Sequence, residues 1–359
     1  MEKLDSNKEL LKEFTDSYKK FAIKPSQYWD NYVSIILHEI EKDGLNGFGS
    51  VYNLTRGFGD AMSYPKRQRI RSILKIPFLY ELIEKFLANR NQKKKSRTVF
   101  EASKDFFTQT NLIDEISLEL DEVTKNLEIN RYIEVNKKKV PWRYLQAFAY
   151  IELLVLMLNK DNHNLTIKEL LDGNTMDIGG GYGPVIDILY YFKAINSIGS
   201  ESINYQLEQY PVSFIANQYL DYRHKAKVLK PILDLDDNKM HSKNSDQSFR
   251  IIQSSVSNMI KSLDVRFFFN SNSFQEMSKE QVESYIKFIK NNKADTSYLA
   301  CFYYNSGVGD TKKSQVWNSN KDALHASIDL FNTEFSLIDK IDFSMDGFVP
   351  GILFLFKLS

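Results

Sequence analysis

The spacing of apolar residues divides the chain into two halves with different predicted structures. Up to about residue 171, apolar side chains recur at helical intervals, as in the segment from residue 28 to residue 40. The run from Ala147 to Leu158 is apolar apart from Glu152 and is shorter than the roughly 20 residues that cross a bilayer. We therefore expect an α-helical N-terminal region over residues 1–165, and no integral membrane segment.

Beyond residue 171, short apolar or β-branched runs alternate with helical stretches, which is typical of a mostly parallel sheet covered by helices on both faces. The predicted strands are Thr175–Ile178, Ile203–Leu207, Arg250–Gln253, Val265–Asn270 and Tyr298–Tyr304, followed by an antiparallel pair, Phe335–Phe343 and Phe348–Leu358. The predicted helices are Pro184–Phe192, Pro211–His224, Ser255–Leu263 and Lys279–Asn291. The pattern thus predicts a Rossmann-like α/β domain over residues 166–359.

Composition narrows the classes of partner. The 359 residues include 47 lysines and arginines against 46 aspartates and glutamates, a net charge of +1, which disfavours nucleic acid as the main partner. The single cysteine, Cys301, cannot form a disulfide within the chain or make a zinc site by itself. We expect a cytoplasmic protein and name no metal ligands, and the need for a divalent metal stays open.

The strongest signal is a glycine-rich turn between a predicted strand and a predicted helix, Thr175 to Pro184 (TMDIGGGYGP). Glycines permit positive φ and allow a ligand to approach the backbone closely. Pro184 suits the first position of a helix, where a missing N–H costs nothing. The turn therefore opens a helix whose free N–H groups can meet an anionic or polar ligand.

The spacing of this turn argues against a dinucleotide. A G-x-G-x-x-G fingerprint that begins at Gly179 requires a glycine at position 184, where this chain has proline. The residues instead spell D-x-G-x-G-x-G, beginning at Asp177. A carboxylate beside such a turn suits a ligand with a cationic amino-acid moiety better than it suits a pyrophosphate.

This pattern resembles the S-adenosylmethionine (SAM) site of Rossmann-like class I methyltransferases. Together with Glu208–Leu220 (EQYPVSFIANQYL), Asn270–Met277 (NSNSFQEM) and a following helix that contains Tyr285, it is similar to a bacterial family of sugar O-methyltransferases over roughly residues 130 to 310. The resemblance implies a SAM-dependent enzyme that methylates a sugar hydroxyl of a polysaccharide precursor or a glycosylated metabolite. Its partner would be a sugar or glycan, and the oligomeric state stays open, a homo-oligomer included.

The resemblance also implies a set of cofactor-binding residues. Asp177 would lie near the amino group of SAM, the glycines under its methionine part, Glu208 at the ribose hydroxyls and Ser254 at the adenine edge. The full set is Asp177, Gly179, Gly180, Gly181, Tyr182, Gly183, Glu208, Ser254 and Asn270.

Candidates for the chemistry follow from position and residue type. Glu276, at the carboxyl end of the fourth strand, is the first candidate base, and its alternative role is to cap or pair with the helix that begins near Lys279. His325 is the second candidate base, although a structural or surface role is the favoured interpretation of this residue. The candidate substrate-binding residues are Arg56, Asp60, Tyr64, Asn272 and Asn305. An aromatic core is the alternative for Tyr64, and turn chemistry is the alternative for the two asparagines. Arg56 and Asp60 lie in a glycine-rich loop before a basic segment whose own alternative is a solvated amphipathic helix.

Three other functions stay open at this point. They are a non-catalytic protein that keeps the SAM fold, a methyltransferase for a small molecule other than a sugar, and a sugar enzyme that uses NAD, against which Pro184 argues.

Overall fold

A computed structural model describes residues 8–21, 33, 132–135, 138–160, 165–224, 227–233, 247–304, 320–343 and 351–358. Four of the predicted substrate-binding residues, Arg56, Asp60, Tyr64 and Asn305, lie outside the described residues, as does nearly all of the segment from residue 28 to residue 40. Glu276 and His325 are described at the level of the backbone.

The described elements alternate between strands and helices from residue 167 onward. The α-helices are α1 (Lys8–Phe21), α2 (Trp142–Lys160), α3 (Ile167–Leu171), α4 (Pro184–Ile195), α5 (Val212–His224), α6 (Lys279–Asn292) and α7 (Asn320–Glu334). The strands are β1 (Tyr132–Val135), β2 (Lys138–Pro141), β3 (Asn174–Ile178), β4 (Asn204–Glu208), β5 (Phe249–Gln253), β6 (Val265–Ser271), β7 (Lys293–Tyr304), β8 (Ser336–Phe343) and β9 (Gly351–Leu358). Two 3₁₀ helices, Ser254–Met259 and Ser273–Glu276, follow β5 and β6.

Seven strands form one twisted sheet in the order β5-β4-β3-β6-β7-β9-β8. The first five are parallel, and β9 enters antiparallel to both β7 and β8. The predicted Rossmann-like sheet and the predicted antiparallel pair at its end are both confirmed. Each predicted strand is found within three residues of its predicted boundaries except β7, which begins five residues earlier.

The order of the strands determines where a ligand can bind. From β3 the chain moves outward through β4 and β5, then returns to the other side of β3 and continues through β6 and β7. In open α/β sheets, ligands bind beyond the carboxyl ends of the strands at the point where this order reverses. That point lies between β3 and β6, where Ile178 is paired with Asn270.

Helix α2 packs against the sheet in the same hydrophobic core as α4 and α5. Tyr150 of α2 contacts Phe302 of β7 and Phe269 of β6, with ring centroids 4.6 and 5.6 Å apart. The predicted buried helix is thereby confirmed, and no helix among the described residues is long and apolar enough to cross a membrane. The boundary near residue 165 stays a prediction.

Two local predictions were wrong. The segment predicted as a helix over 255–263 forms a 3₁₀ helix over Ser254–Met259, in which the Ser257 hydroxyl donates to the Ser254 carbonyl at 2.8 Å. Serine side chains compete for backbone groups in this way, and they favour short turns over α-helix. The N-terminal region is also not wholly helical, because β1 and β2 pair antiparallel within it.

A buried ionic cluster joins three helices on the α2 side of the sheet. Asp187 of α4 is fully buried; it accepts hydrogen bonds from Arg223 Nε at 2.6 Å and from the Tyr144 hydroxyl of α2, and its other oxygen lies 2.6 Å from His224 Nε2. Burial alone would raise the pKa of Asp187, but the hydrogen bond with His224 and the charge of Arg223 outweigh it and lower that pKa. Asp187 is therefore a carboxylate held by cationic and hydroxyl partners.

We expect Asp187→Asn to lower the free energy of unfolding by about 3 kcal/mol, because it leaves the guanidinium of Arg223 buried without its countercharge. Urea unfolding measures the change. The control is Glu283→Gln, which removes an exposed ion pair with Lys279 and should cost less than about 0.5 kcal/mol. Equal losses in the two variants would contradict this account of the cluster.

Candidate functional site

The glycine turn lies at the carboxyl end of β3 and leads directly into α4. Gly179, Gly181 and Gly183 have φ of 69°, 68° and 106°, the left-handed region that disfavours side chains. A Cβ at Gly179 would lie 2.3 Å from Ser273 Oγ, and one at Gly183 would lie 2.7 Å from Gln206 Oε1. At Gly181, by contrast, a Cβ would meet no atom of the described residues within 4 Å, so among these residues the turn is open there.

Asp177 lies directly beneath this turn. Its side chain is fully buried, and neither carboxyl oxygen has a hydrogen-bond partner among the described residues. A Cβ at Gly180 would lie 1.8 Å from Asp177 Oδ2, so this carboxyl group excludes any side chain at position 180. Burial, and then the charge of Glu208, raise the pKa of Asp177 well above its ordinary value, which favours the protonated form.

Two side chains of β4 fix the middle of the turn. Glu208 accepts hydrogen bonds from the backbone N–H groups of Gly181, at 2.8 Å, and Gln209, at 2.7 Å. Gln206 donates to the carbonyl of Gly181 at 2.5 Å. Burial raises the pKa of Glu208 to about 7, although the two N–H groups act in the opposite direction. Both polar groups of the Gly181 backbone are thus held by neighbouring side chains.

The other end of the turn rests on the ionic cluster. The ring of Tyr182 packs edge-on against Tyr219, with centroids 5.0 Å apart, and the Tyr219 hydroxyl lies 2.5 Å from that of Tyr144. Through these rings the turn is supported by the helices that Asp187 joins.

Asn270 fastens the ends of β3 and β6 to each other. Its amide nitrogen donates to the carbonyl of Ile178 at 2.7 Å and to the Ser273 hydroxyl, and its oxygen accepts from Phe274 N at 3.4 Å. This side chain is fully buried and is hydrogen-bonded within the protein. Its predicted contact with the cofactor stays a prediction.

The edge beyond β5 is polar. The hydroxyl of Tyr285 lies near the side chains of Ser254 and Gln209, and burial raises its pKa. Gln253 donates to Ser17 of α1 at 3.0 Å, so the N-terminal helix covers this edge of the sheet. Ser254, the predicted adenine-edge residue, therefore lies where an N-terminal segment approaches the sheet.

The remaining predicted residues lie at or beyond the carboxyl ends of the strands. Asn272 follows β6, Glu276 ends the 3₁₀ helix after it, and His325 lies on α7. The cap of α6 is Ser278, which forms a capping box with Gln281. No observation tests the predicted catalytic roles, which stay predictions.

Sequence reasoning missed a polar group beside Asn272. It consists of Arg143, Gln146 and Tyr150 on α2 and Tyr304 at the end of β7. The three α2 residues are spaced i, i+3 and i+7, which places them on one helix face, and that spacing is the signal that could have found them.

Comparison with solved structures finds many similar folds. They include a SAM-dependent methyltransferase from Aquifex aeolicus (13% identity, 54% of this chain and 87% of that chain, TM-score 0.34). They also include the mitomycin 7-O-methyltransferase MmcR (12% identity, 61% and 57%, TM-score 0.37) and the fibrillarin pre-rRNA processing protein of Methanococcus jannaschii (13% identity, 64% and 82%, TM-score 0.36). No family model matches the chain, and no curated protein matches it.

The fold is a Rossmann-like α/β sheet of seven strands that ends in an antiparallel pair. The order and direction of the seven strands carry this assignment. Sequence identities and TM-scores this low give no information about the substrate of this chain.

The packing of the turn predicts an order of stability for two alanine variants. Gly180→Ala should lower the free energy of unfolding by about 2 kcal/mol or more, because its Cβ collides with a buried carboxyl group. Gly181→Ala should cost about 1 kcal/mol, since only its positive φ opposes a side chain. Urea unfolding of both variants gives the order, and a larger loss at Gly181 would contradict the geometry.

The raised pKa of Glu208 predicts that the stability of the folded protein depends on pH. Its carboxyl group holds a proton up to about pH 7 in the folded state and releases it near its ordinary pKa of 4.5 in the unfolded state. The folded state therefore binds more protons between these values, and stability falls as the pH rises through this window.

The difference in free energy of unfolding between Glu208→Gln and the parent should shift in favour of the variant by on the order of 2 kcal/mol as the pH rises from 5 to 8. Because the charge of Glu208 contributes to the raised pKa of Asp177, the comparison measures Glu208 together with its effect on Asp177. Chemical unfolding at the two pH values measures the difference. A difference between parent and variant that does not change with pH would contradict the assignment.

Proposed function

We propose that the protein is a SAM-dependent O-methyltransferase whose cofactor lies against the glycine turn. The observation that supports this most strongly is the open backbone at Gly181, at the reversal point of a methyltransferase-type sheet. The D-x-G-x-G-x-G spacing and Pro184 favour SAM over a dinucleotide.

The residues around the turn fit such a cofactor. Asp177 has two buried carboxyl oxygens without a described partner directly beneath the turn, where a polar group of a ligand, or a water that bridges to it, would satisfy them. Each oxygen of Glu208 already accepts one N–H, but a carboxylate oxygen accepts more than one hydrogen bond. Glu208 can therefore hold the Gly181 amide and a ribose hydroxyl together, and Ser254 would meet the adenine edge.

The chemistry needs an acceptor hydroxyl held in line with the reacting methyl group. SAM held at the turn would supply an electrophilic methyl group and a thioether leaving group, so that the protein would need to orient the acceptor hydroxyl and accept its proton. Positioning by the protein supplies much of the acceleration. We propose Glu276 and His325 as candidates to accept that proton, because both belong to segments that follow strands of the sheet.

We propose that the acceptor is a sugar or a glycan precursor. The resemblance of the segments Glu208–Leu220 and Asn270–Met277 to sugar O-methyltransferases supports this. We also propose that residues 1–165 complete the acceptor cleft, since α2 contacts the ends of β6 and β7, and that the protein works in the cytoplasm.

Calorimetric titration with SAM tests the cofactor assignment. The parent should bind one SAM, and Gly181→Arg should weaken that binding at least 100-fold because the new side chain fills the open face of the turn. The matched control is Ile195→Arg, which adds the same side chain at an exposed position on the far end of α4 and should bind as the parent does. Unchanged affinity in Gly181→Arg would overturn the proposal, as would a folded parent that binds no SAM.

Incubation with labelled SAM and the host's nucleotide-sugar and glycan pools, followed by mass spectrometry, tests the acceptor. A gain of one methyl on a glycan supports the proposed reaction. Tight SAM binding without transfer to any glycan would contradict the sugar assignment, and it would favour a non-catalytic protein or a different acceptor.

A further inference from the structure

A hydrogen-bonded group of side chains lies between α2 and the carboxyl ends of β6 and β7. We name it the acceptor cluster, and its members are Arg143, Gln146, Tyr150, Asn272 and Tyr304. Tyr150 and Gln146 are buried, whereas Arg143, Asn272 and Tyr304 are half-buried, so part of the cluster is accessible.

The cluster is a continuous chain of contacts. Arg143 Nη1 donates to Gln146 Oε1 at 3.0 Å, and Gln146 Nε2 donates to the Tyr304 hydroxyl at 3.2 Å. The rings of Tyr150 and Tyr304 both pack against Phe302, with centroids 4.6 and 5.7 Å from it. Gln275 fixes the backbone of Tyr304 by a pair of hydrogen bonds, each 3.1 Å long. The cluster is therefore preorganised and does not depend on the ligand for its shape.

Asn272 supplies the unsatisfied group. Its backbone N–H donates to the carbonyl of Phe302 at 2.9 Å, and its φ of 67° directs the chain into the 3₁₀ helix that follows. Its amide nitrogen makes a long contact, 3.5 Å, with the Tyr150 hydroxyl. Its amide oxygen is buried and has no hydrogen-bond partner among the described residues. Buried polar atoms are rarely left unpaired, so this oxygen points to a missing donor.

The register of the sheet places this cluster beside the glycine turn. Ile178, the last residue of β3, is paired with Asn270, and Asn270 is paired with Cys301. Adjacent strands are about 4.8 Å apart. Asn272 follows β6, which is the neighbour of β3, and Tyr304 ends β7, which is the next strand in the sheet. A ligand on the turn and a ligand on the cluster would therefore be neighbours.

We propose that the acceptor cluster binds the methyl acceptor, and that this acceptor is a hydroxyl-rich compound that carries a carboxylate, such as a uronic-acid residue. An acceptor hydroxyl donates to the amide oxygen of Asn272, other hydroxyls contact Tyr150 and Tyr304, and the carboxylate faces Arg143. Amides, tyrosine hydroxyls and a guanidinium together match hydroxyl groups and an anion. The inference rests on the proposed function, since it takes the neighbouring site as the cofactor site.

The alternative is that the cluster only attaches α2 to the sheet. A purely structural cluster is expected to pair its buried atoms internally, and the contacts from Arg143 through Gln146 to Tyr304 are paired in this way. The unpaired oxygen of Asn272, which is buried although the residue as a whole is half-buried, is what the structural role does not explain.

Saturation-transfer NMR with two probes, methyl glucuronoside and methyl glucoside, tests the inference, and calorimetry with S-adenosylhomocysteine follows the cofactor site separately. The parent should bind the glucuronoside about tenfold more tightly than the glucoside, because a charge-assisted contact adds to the hydroxyl contacts. Asn272→Ala and Tyr304→Phe should each weaken both probes about tenfold. Arg143→Gln should remove only the preference for the glucuronoside.

The matched control is Tyr298→Phe, which removes a hydroxyl from the same strand and face as Tyr304 but six residues away, about 20 Å along β7. It should leave both probes unaffected. All four variants should bind S-adenosylhomocysteine as the parent does, which separates loss of the acceptor site from loss of the fold.

Two results would overturn the inference. In the first, the parent binds the probes, and Asn272→Ala and Tyr304→Phe bind them equally well. In the second, the parent binds S-adenosylhomocysteine but binds neither probe. If the parent binds a probe and the variants lose it while S-adenosylhomocysteine does not bind, the acceptor cluster stands and the proposed function fails.

Discussion

The contact between the buried carboxyl group of Asp177 and the backbone of Gly180 is the constraint on which the site depends. This carboxyl group occupies the space that a side chain at position 180 would need. The chain must therefore pass over it as bare backbone, and the left-handed glycines on either side let it do so. Glu208 and Gln206 then hold Gly181 from the neighbouring strand. The result is a rigid turn with one open position, at Gly181.

Topology places this turn where it is useful. Because the strand order reverses next to β3, the ends of β3 and β6 lie where open α/β sheets bind their ligands. Asn270 fastens these two ends together, and the buried cluster around Asp187 supports the turn from α2, α4 and α5. The helices on one face thus anchor the proposed cofactor side, while the ends of β6 and β7 and helix α2 form the proposed acceptor side.

Patterns within single segments of the sequence predicted the strands and the glycine turn, because each of these depends on residues that are neighbours in the chain. The run from Asp177 to Pro184 carries its own conformational requirement, and the parallel strands read as short apolar runs. The 3₁₀ helix after β5 was not predicted, since its serines form side-chain bonds to the backbone that hydrophobic spacing does not reveal.

The acceptor cluster was not predicted for a different reason. Tyr150 and Asn272 are 122 residues apart, and Gln146 and Tyr304 are 158 residues apart. Only the register of the sheet and the packing of α2 bring them together, so no pattern within one segment could show the contact. The predicted roles of Asn270 and Glu276 illustrate the same limit, because a residue type at a strand end does not determine what its side chain contacts.

A crystal structure with S-adenosylhomocysteine tests the central claim most directly. The account predicts electron density for the ligand against Gly181, with its ribose next to Glu208 and its amino-acid part above Asp177. Density at another place in the fold, or a turn that stays empty at saturating ligand while the ligand binds elsewhere, would contradict it.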